Sequence, residues 1–225
     1  VADPGMHFVK AIKIRREEGI PFGQNVYADQ EMVASPDTRF RPVDLQSAPD
    51  GSLYIADMYH GINQHRFFMS AHLRAFIEKN QLETPPDLGR IYRLSAKDKK
   101  PAAWKPFDNP GVIELAEALT SDNPWMRDTA QRILVDRKPA GAKEAIESVY
   151  RKSPSSLGKI HALWTLEGIG EVAEEHVLQA LGEKDRDLAM HAARLSWRLE
   201  NSDALMGALI EATPETFDGS SCYVY

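Results

Sequence analysis

The sequence predicts an α+β chain in two parts: the closing portion of a β-propeller with antiparallel blades, then an α-helical HEAT-like solenoid. Period-two segments joined by turn residues occupy the chain up to about Leu94. Helix-period segments occupy it from Gly111 onward, and three of them align at a spacing of roughly 30 residues.

Composition fits folded structure throughout. Of 225 residues, 43% are hydrophobic and 27% charged, so neither part reads as disordered. The formal net charge is −6, which argues against nucleic acid as a partner. Up to Lys105 there are 15 basic and 13 acidic residues, and from Phe107 there are 12 and 20. That swing agrees with a boundary in between. No run approaches the roughly 20 apolar residues of a membrane span. Val1-Ala2-Asp3-Pro4-Gly5 lacks the basic and apolar regions of a signal peptide, and Ser221-Cys222-Tyr223-Val224-Tyr225 stops on an apolar run. Both ends read as cuts through folded sequence, with further propeller blades expected outside. Cys222 is the single cysteine, which leaves no internal disulfide and no Cys-x-x-Cys site.

In order, residues 1–96 form the propeller part. Phe8-Val9-Lys10-Ala11-Ile12-Lys13-Ile14 alternates as a half-buried strand, and Glu18-Gly19 offers a turn. Arg41 to Leu45 and Ser52 to Asp57 flank Ala48-Pro49-Asp50-Gly51, read as a tight hairpin of the primed type because glycine accepts positive φ. Gly89-Arg90-Ile91-Tyr92-Arg93-Leu94 is a further strand, and together these read as one blade. Residues 68–80 form a helical insertion that Ser70 can cap, and Thr84-Pro85-Pro86-Asp87 ends it.

Residues 97–110 are a Lys- and Pro-rich linker pinned by Trp104 and Phe107. Residues 111–213 are the repeats, and 214–225 begin a further one. The aligned helices are Pro124 to Leu134, Ser156 to Leu166 and Arg186 to Leu195, with Ala130, Ala162 and Ala192 in register. A small residue at a helix crossing lets backbones approach, and apolar residues four positions on fill the groove. Second helices run from Glu144 to Arg151, Glu174 to Leu181 and Asp203 to Ala212. Asp122 with Arg127 and Ala130 gives the HEAT flavour; an irregular bundle is the plainer alternative.

Phe40-Arg41-Pro42-Val43-Asp44-Leu45, Ala48 to Tyr59 and Gly89 to Leu94, followed by Trp125 to Leu134 and His161 to Gly168, resemble one family in order. It is the PVC-type haem-binding, membrane-bound dehydrogenase-like family, whose propeller is similar to that of sugar dehydrogenases. The resemblance implies an envelope or periplasmic oxidoreductase that oxidises a carbohydrate-like alcohol and passes electrons to haem c on a cytochrome domain outside this chain. Quinone and calcium stay open as cofactors. The family's Cys-x-x-Cys-His is not in this sequence, so haem is assigned to no residue here. The alternative is a non-enzymatic propeller and HEAT scaffold that binds a glycan or a protein partner.

The candidate site is Arg41, Asp44, Asp57, Tyr59 and His60. Arg41 offers a planar fork for an anion. Asp44 or Asp57 can hold a cation or accept a proton, and His60 can act as a base near neutral pH. The plainer reading pairs Arg41 with Asp44 across the strand and has Asp57 cap the turn after it. His65 and His72 read as packing residues of the insertion. His161 and His191 occupy equivalent repeat positions, and Trp125, Trp164 and Trp197 read as core or groove filler. Neither Asp108-Asn109-Pro110-Gly111 nor Pro49-Asp50-Gly51 has the spacing of a calcium loop.

Overall fold

A computed structural model describes residues 1–17, 20–62, 66–85, 87–98, 107–200 and 202–216. His65, Trp104, Cys222 and the turn expected at Glu18-Gly19 lie outside them; of the residues 214–225 expected to open a further repeat, 214–216 instead end a helix that begins at Asp203, and 217–225 lie outside the described residues. The chain is mixed α and β, with small antiparallel sheets and eight α-helices among the described residues. It divides into two units, Val1–Arg15 with Pro21–Trp104, and Arg16–Ile20 with Lys105–Tyr225.

The strands are short. β1 (Ala2–Asp3), β2 (Phe8–Val9) and β5 (Val33–Ala34) form one sheet in the order β1-β2-β5. β3 (Ile12–Glu17) pairs with β4 (Ile20–Asn25). The alternating run at Phe8 is therefore two strands, which belong to different sheets. β6 (Pro42–Ser47), β7 (Leu53–Asp57) and β8 (Arg90–Leu94) make the third sheet, with β7 central and Leu45 opposite Ile55 opposite Tyr92. Ile55 is buried on the inner face.

The β6–β7 connection is not the two-residue primed turn. The Gly51 amide donates to the Ala48 carbonyl at 3.0 Å, and the Ala48 amide donates to the Ser52 carbonyl at 2.9 Å. Three residues are thus looped out, with Gly51 alone among them at positive φ, +80°. This is the type I turn closed by a left-handed residue, for which Gly carries no Cβ penalty. Asp50 Oδ1 accepts from the Ser52 amide and hydroxyl, which fixes the turn.

After β7 comes a single 3-10 turn (Arg66–Phe68) and then α1 (Ala71–Lys79). Ser70 Oγ accepts from the Leu73 amide and so satisfies one of the orphan donors of the first helical turn. Ile77 packs with Met69 and Leu82 in a small buried cluster.

The second unit is helical: α2 (Val112–Ala118), α3 (Pro124–Arg137), α4 (Ala142–Lys152), α5 (Ser156–Ile169), α6 (Glu174–Leu181), α7 (Arg186–Ser196) and α8 (Asp203–Thr216). Asn123, Ser155 and Asp185 cap α3, α5 and α7 through side-chain oxygens. Gly170 and Lys138 end α5 and α3 in the left-handed conformation. α5 lies between α3 and α7, while α2 packs on α4 and α6 on α8. Consecutive helices also pair as α2 with α3, α4 with α5 and α6 with α7.

Ala130, Ala162 and Ala192 are each fully buried on the middle helices. Leu134 and Leu166 fill the core four positions on. The third helix departs from this rule: position 196 is Ser, whose hydroxyl donates to the Ala193 carbonyl at 2.7 Å, and Leu195 packs in the core. α5 and α3 approach so closely that a Cβ on Gly168 would stand 2.6 Å from Val135 Cγ2. Trp164 is partly buried against the core, and Trp125 stacks on Phe107. Trp197 is not core filler: it is 69% exposed at the end of α7.

Candidate functional site

The polar residues at the end of β7 are held by backbone chemistry. Asp57 is the last residue of the central strand and is 3% exposed. Its Oδ1 accepts from the Arg41 amide at 2.7 Å and from the Tyr59 amide at 2.8 Å. The carboxylate therefore ties the start of β6 to the turn that leaves β7. That turn carries Tyr59 at positive φ, a conformation a non-glycine residue adopts only where its surroundings impose it. Asp57 Oδ2 is buried without a hydrogen-bond partner among the described residues.

Arg41 does not pair with Asp44. Its Nε donates to the His60 carbonyl at 3.1 Å, Nη1 to the Pro4 carbonyl at 2.6 Å and Nη2 to the Gly61 carbonyl at 2.9 Å. Three of the five guanidinium N–H groups are thus spent on main-chain oxygens. The side chain is buried, and burial pulls its pKa below the ordinary guanidinium value. Asp44 stands exposed on β6 and accepts from Gln46 Nε2 at 3.1 Å. His60 contributes its carbonyl to Arg41, while its Nδ1 bonds the Ile62 carbonyl.

Tyr59 belongs to a second cluster that the sequence reading did not contain. Its hydroxyl donates to Asp37 Oδ2 at 2.7 Å, and the Arg90 guanidinium lies 3.5 Å from its ring centroid. The hydroxyl, with the Arg39 amide on Oδ1, holds the Asp37 carboxyl below the usual carboxylate range. The same bond raises the Tyr59 phenol. Arg39 reaches the Gln81 and Thr84 carbonyls.

Beside Arg41 is a cavity of about 260 Å³ that His7 and Thr38 line from the polar side and Ile62, Phe76 and Leu82 from the apolar side. That is just below the ~300–1,000 Å³ usual for small-molecule sites. Asp57 and His60 are not among its lining residues. His7 sits at φ 61° with its Nδ1 on the Phe40 carbonyl at 2.7 Å. The sequence signs of that turn are the Pro4-Gly5 dipeptide and Asp3, whose Oδ1 accepts from the Gly5 and Met6 amides.

The geometry can therefore fasten a strand end and line a small cavity. Among the described residues no group of three or more His, Cys, Asp or Glu side chains is placed to hold a metal ion, and no helix is long and apolar enough to cross a membrane. The thioether attachment of a c-type haem uses two cysteines, and one is present. His72 is exposed on α1.

Residues 1–98 match a family model described as a domain of unknown function, DUF7133. No curated protein and no solved structure matches the chain.

Proposed function

We propose that this chain is a binding and positioning scaffold within an envelope oxidoreductase-like protein of the haem-binding, dehydrogenase-like kind. The first unit is then the closing portion of a β-propeller and the second a HEAT-like array. The β6-β7-β8 sheet supports the first reading, since a propeller blade is built from such antiparallel strands. The α3-α5-α7 row, with paired helices beside it, supports the second. One observation carries the scaffold role. Arg41 and Asp57, the strongest candidates for chemistry, are occupied by the Pro4, His60 and Gly61 carbonyls and by the Arg41 and Tyr59 amides. The periplasmic setting and a carbohydrate as the bound species belong to the same proposal.

A second reading has the first unit oxidise a sugar-like alcohol. The buried Oδ2 of Asp57 favours it, because a carboxylate oxygen without a partner is suited to accept a hydroxyl proton. Dye-linked oxidation of a sugar panel by the purified chain, with and without added quinone and calcium, separates the two. The scaffold reading expects the background rate throughout. Sustained dye reduction that Asp57→Asn abolishes establishes the second reading instead.

A further inference from the structure

The helical unit carries a groove of about 920 Å³ between α2 and α4. Its floor is two short rows of apolar residues at i,i+4 spacing, Val112 with Ala116 on α2 and Ala145 with Val149 on α4; Ala116 is buried in the core, and the other three are half-buried against it. Such rows are the grooves that a ridge of side chains from another helix enters, and alanine on each side lets a backbone come near. Ile113 stands at the edge, 65% exposed.

The length of the groove suits the same occupant. At about 1.5 Å per residue, α2 and α4 run for roughly 10 and 16 Å, which is two to three turns of a docked helix.

The rim sets the charge of that helix. Glu117, Asp122 and Glu144 border the groove, are exposed and make no ion pair among the described residues. Among the described residues, Lys152 is the one basic residue on the lining. The whole segment from Phe107 holds 20 acidic and 12 basic residues, so the field around the groove has the same sign.

We infer that the α2–α4 groove docks an amphipathic helix of a partner protein, its apolar face on Val112, Ile113, Ala145 and Val149 and its flanks carrying Lys or Arg toward Glu117, Asp122 and Glu144. This is the helix-in-groove mode of recognition, with i/i+3/i+4 anchors supplying affinity and the acidic rim supplying steering and orientation.

Fluorescence anisotropy with the full chain and two labelled peptides tests it. Both peptides are helical, about four turns long, with leucines on one face; one has lysine flanks and the other glutamate flanks. The lysine peptide is expected to bind at least about tenfold tighter, and to weaken at least about tenfold against Ile113→Asp and against the Glu117→Lys/Asp122→Lys/Glu144→Lys variant. All these positions are exposed, so circular dichroism is expected to show both variants folded. Three results overturn the inference. The first is equal binding of the two peptides, or none. The second is lysine-peptide binding that falls with the charge variant but ignores Ile113→Asp, which is unspecific electrostatic attraction. The third is a chain that self-associates in sedimentation until Ile113→Asp makes it monomeric, which assigns the groove to a second copy.

Discussion

Trp164 on α5 donates its indole N–H to Nδ1 of His191 on α7 at 3.0 Å. Indole is a donor only, so Nδ1 carries no proton and His191 is the neutral Nε2–H tautomer. On α5 itself, His161 Nδ1 meets Gln131 Oε1 on α3 at 2.7 Å. The two histidines that sequence alignment placed at equivalent positions thus both link adjacent helices of the row.

A pH dependence follows. Burial is the main cause that lowers both histidines below the ordinary value; Arg194 adds to it at His191, and Arg127 and His191 add to it at His161. Asp187 and Asp128 oppose it. The unfolded chain therefore binds protons first as pH falls below about 6.5. The neutral pair's stabilisation is complete above that pH and is lost as pH falls through the depressed folded values. Melting temperature is expected to fall between neutral pH and mildly acidic pH. In His161→Gln/His191→Gln that part of the slope should disappear, and an unchanged slope contradicts the assignment.

Ala162 is fully buried and Gln179 is exposed on α6. Ala162→Leu forces side chains into a closed crossing and is expected to cost about 1–3 kcal/mol. Gln179→Leu is expected to stay within about 0.5 kcal/mol of wild type. Equal melting temperatures for wild type and Ala162→Leu would mean that the three-helix alignment has no structural meaning.

Asp57→Ala strands the Arg41 and Tyr59 amides at a buried strand end, and each unmet donor costs about 1–3 kcal/mol. Asp57→Asn keeps one acceptor oxygen in place and is expected to lose less. Chemical denaturation of both variants checks the order. An Asn variant less stable than the Ala variant would show that charge, not hydrogen bonding, is what this position supplies.

Gly61 gives Arg41 a carbonyl and leaves no room for a side chain. A Cβ there would lie 2.6 Å from Leu82 Cβ and 2.7 Å from the Leu82 carbonyl oxygen. Gly61→Ala is expected to destabilise the chain by about 1–3 kcal/mol, because one of the clashing atoms is backbone. Gly111→Ala, with open space at its Cβ, is the control and should lose less, about 0.5–1 kcal/mol, because Gly111 is the N-cap of α2.

Much of the secondary structure was legible because its signals are local. Ser70 caps α1 three residues ahead of its donor, Asp50-Gly51 marks the β6–β7 loop, and a helical period begins after Gly111. The error at Phe8 came from a continuous alternation that conceals a break between two sheets. At the candidate site the residue types were legible but their partners were not. Arg41 and Asp57 bond main-chain groups, which have no residue-specific signature, and Pro4 lies 37 positions from Arg41. The Asp37–Tyr59–Arg90 cluster was missed for the related reason that three distant segments build it. The α2–α4 groove has a signal, Val112/Ala116 and Ala145/Val149, that reads as core, and these residues do pack on the core while edging the groove.

The central claim is that Arg41 fastens the chain instead of holding a ligand. Calorimetric unfolding of wild type and Arg41→Lys, each with and without a sugar acid and inorganic phosphate, tests it most directly. An ammonium cannot reach the Pro4, His60 and Gly61 carbonyls together as the planar guanidinium does. Loss of one or two charge-assisted bonds, at about 1.5–3 kcal/mol each, should lower the melting temperature by several degrees, with neither anion shifting either protein. An unchanged melting temperature in Arg41→Lys, with an anion that stabilises wild type alone, would contradict the account.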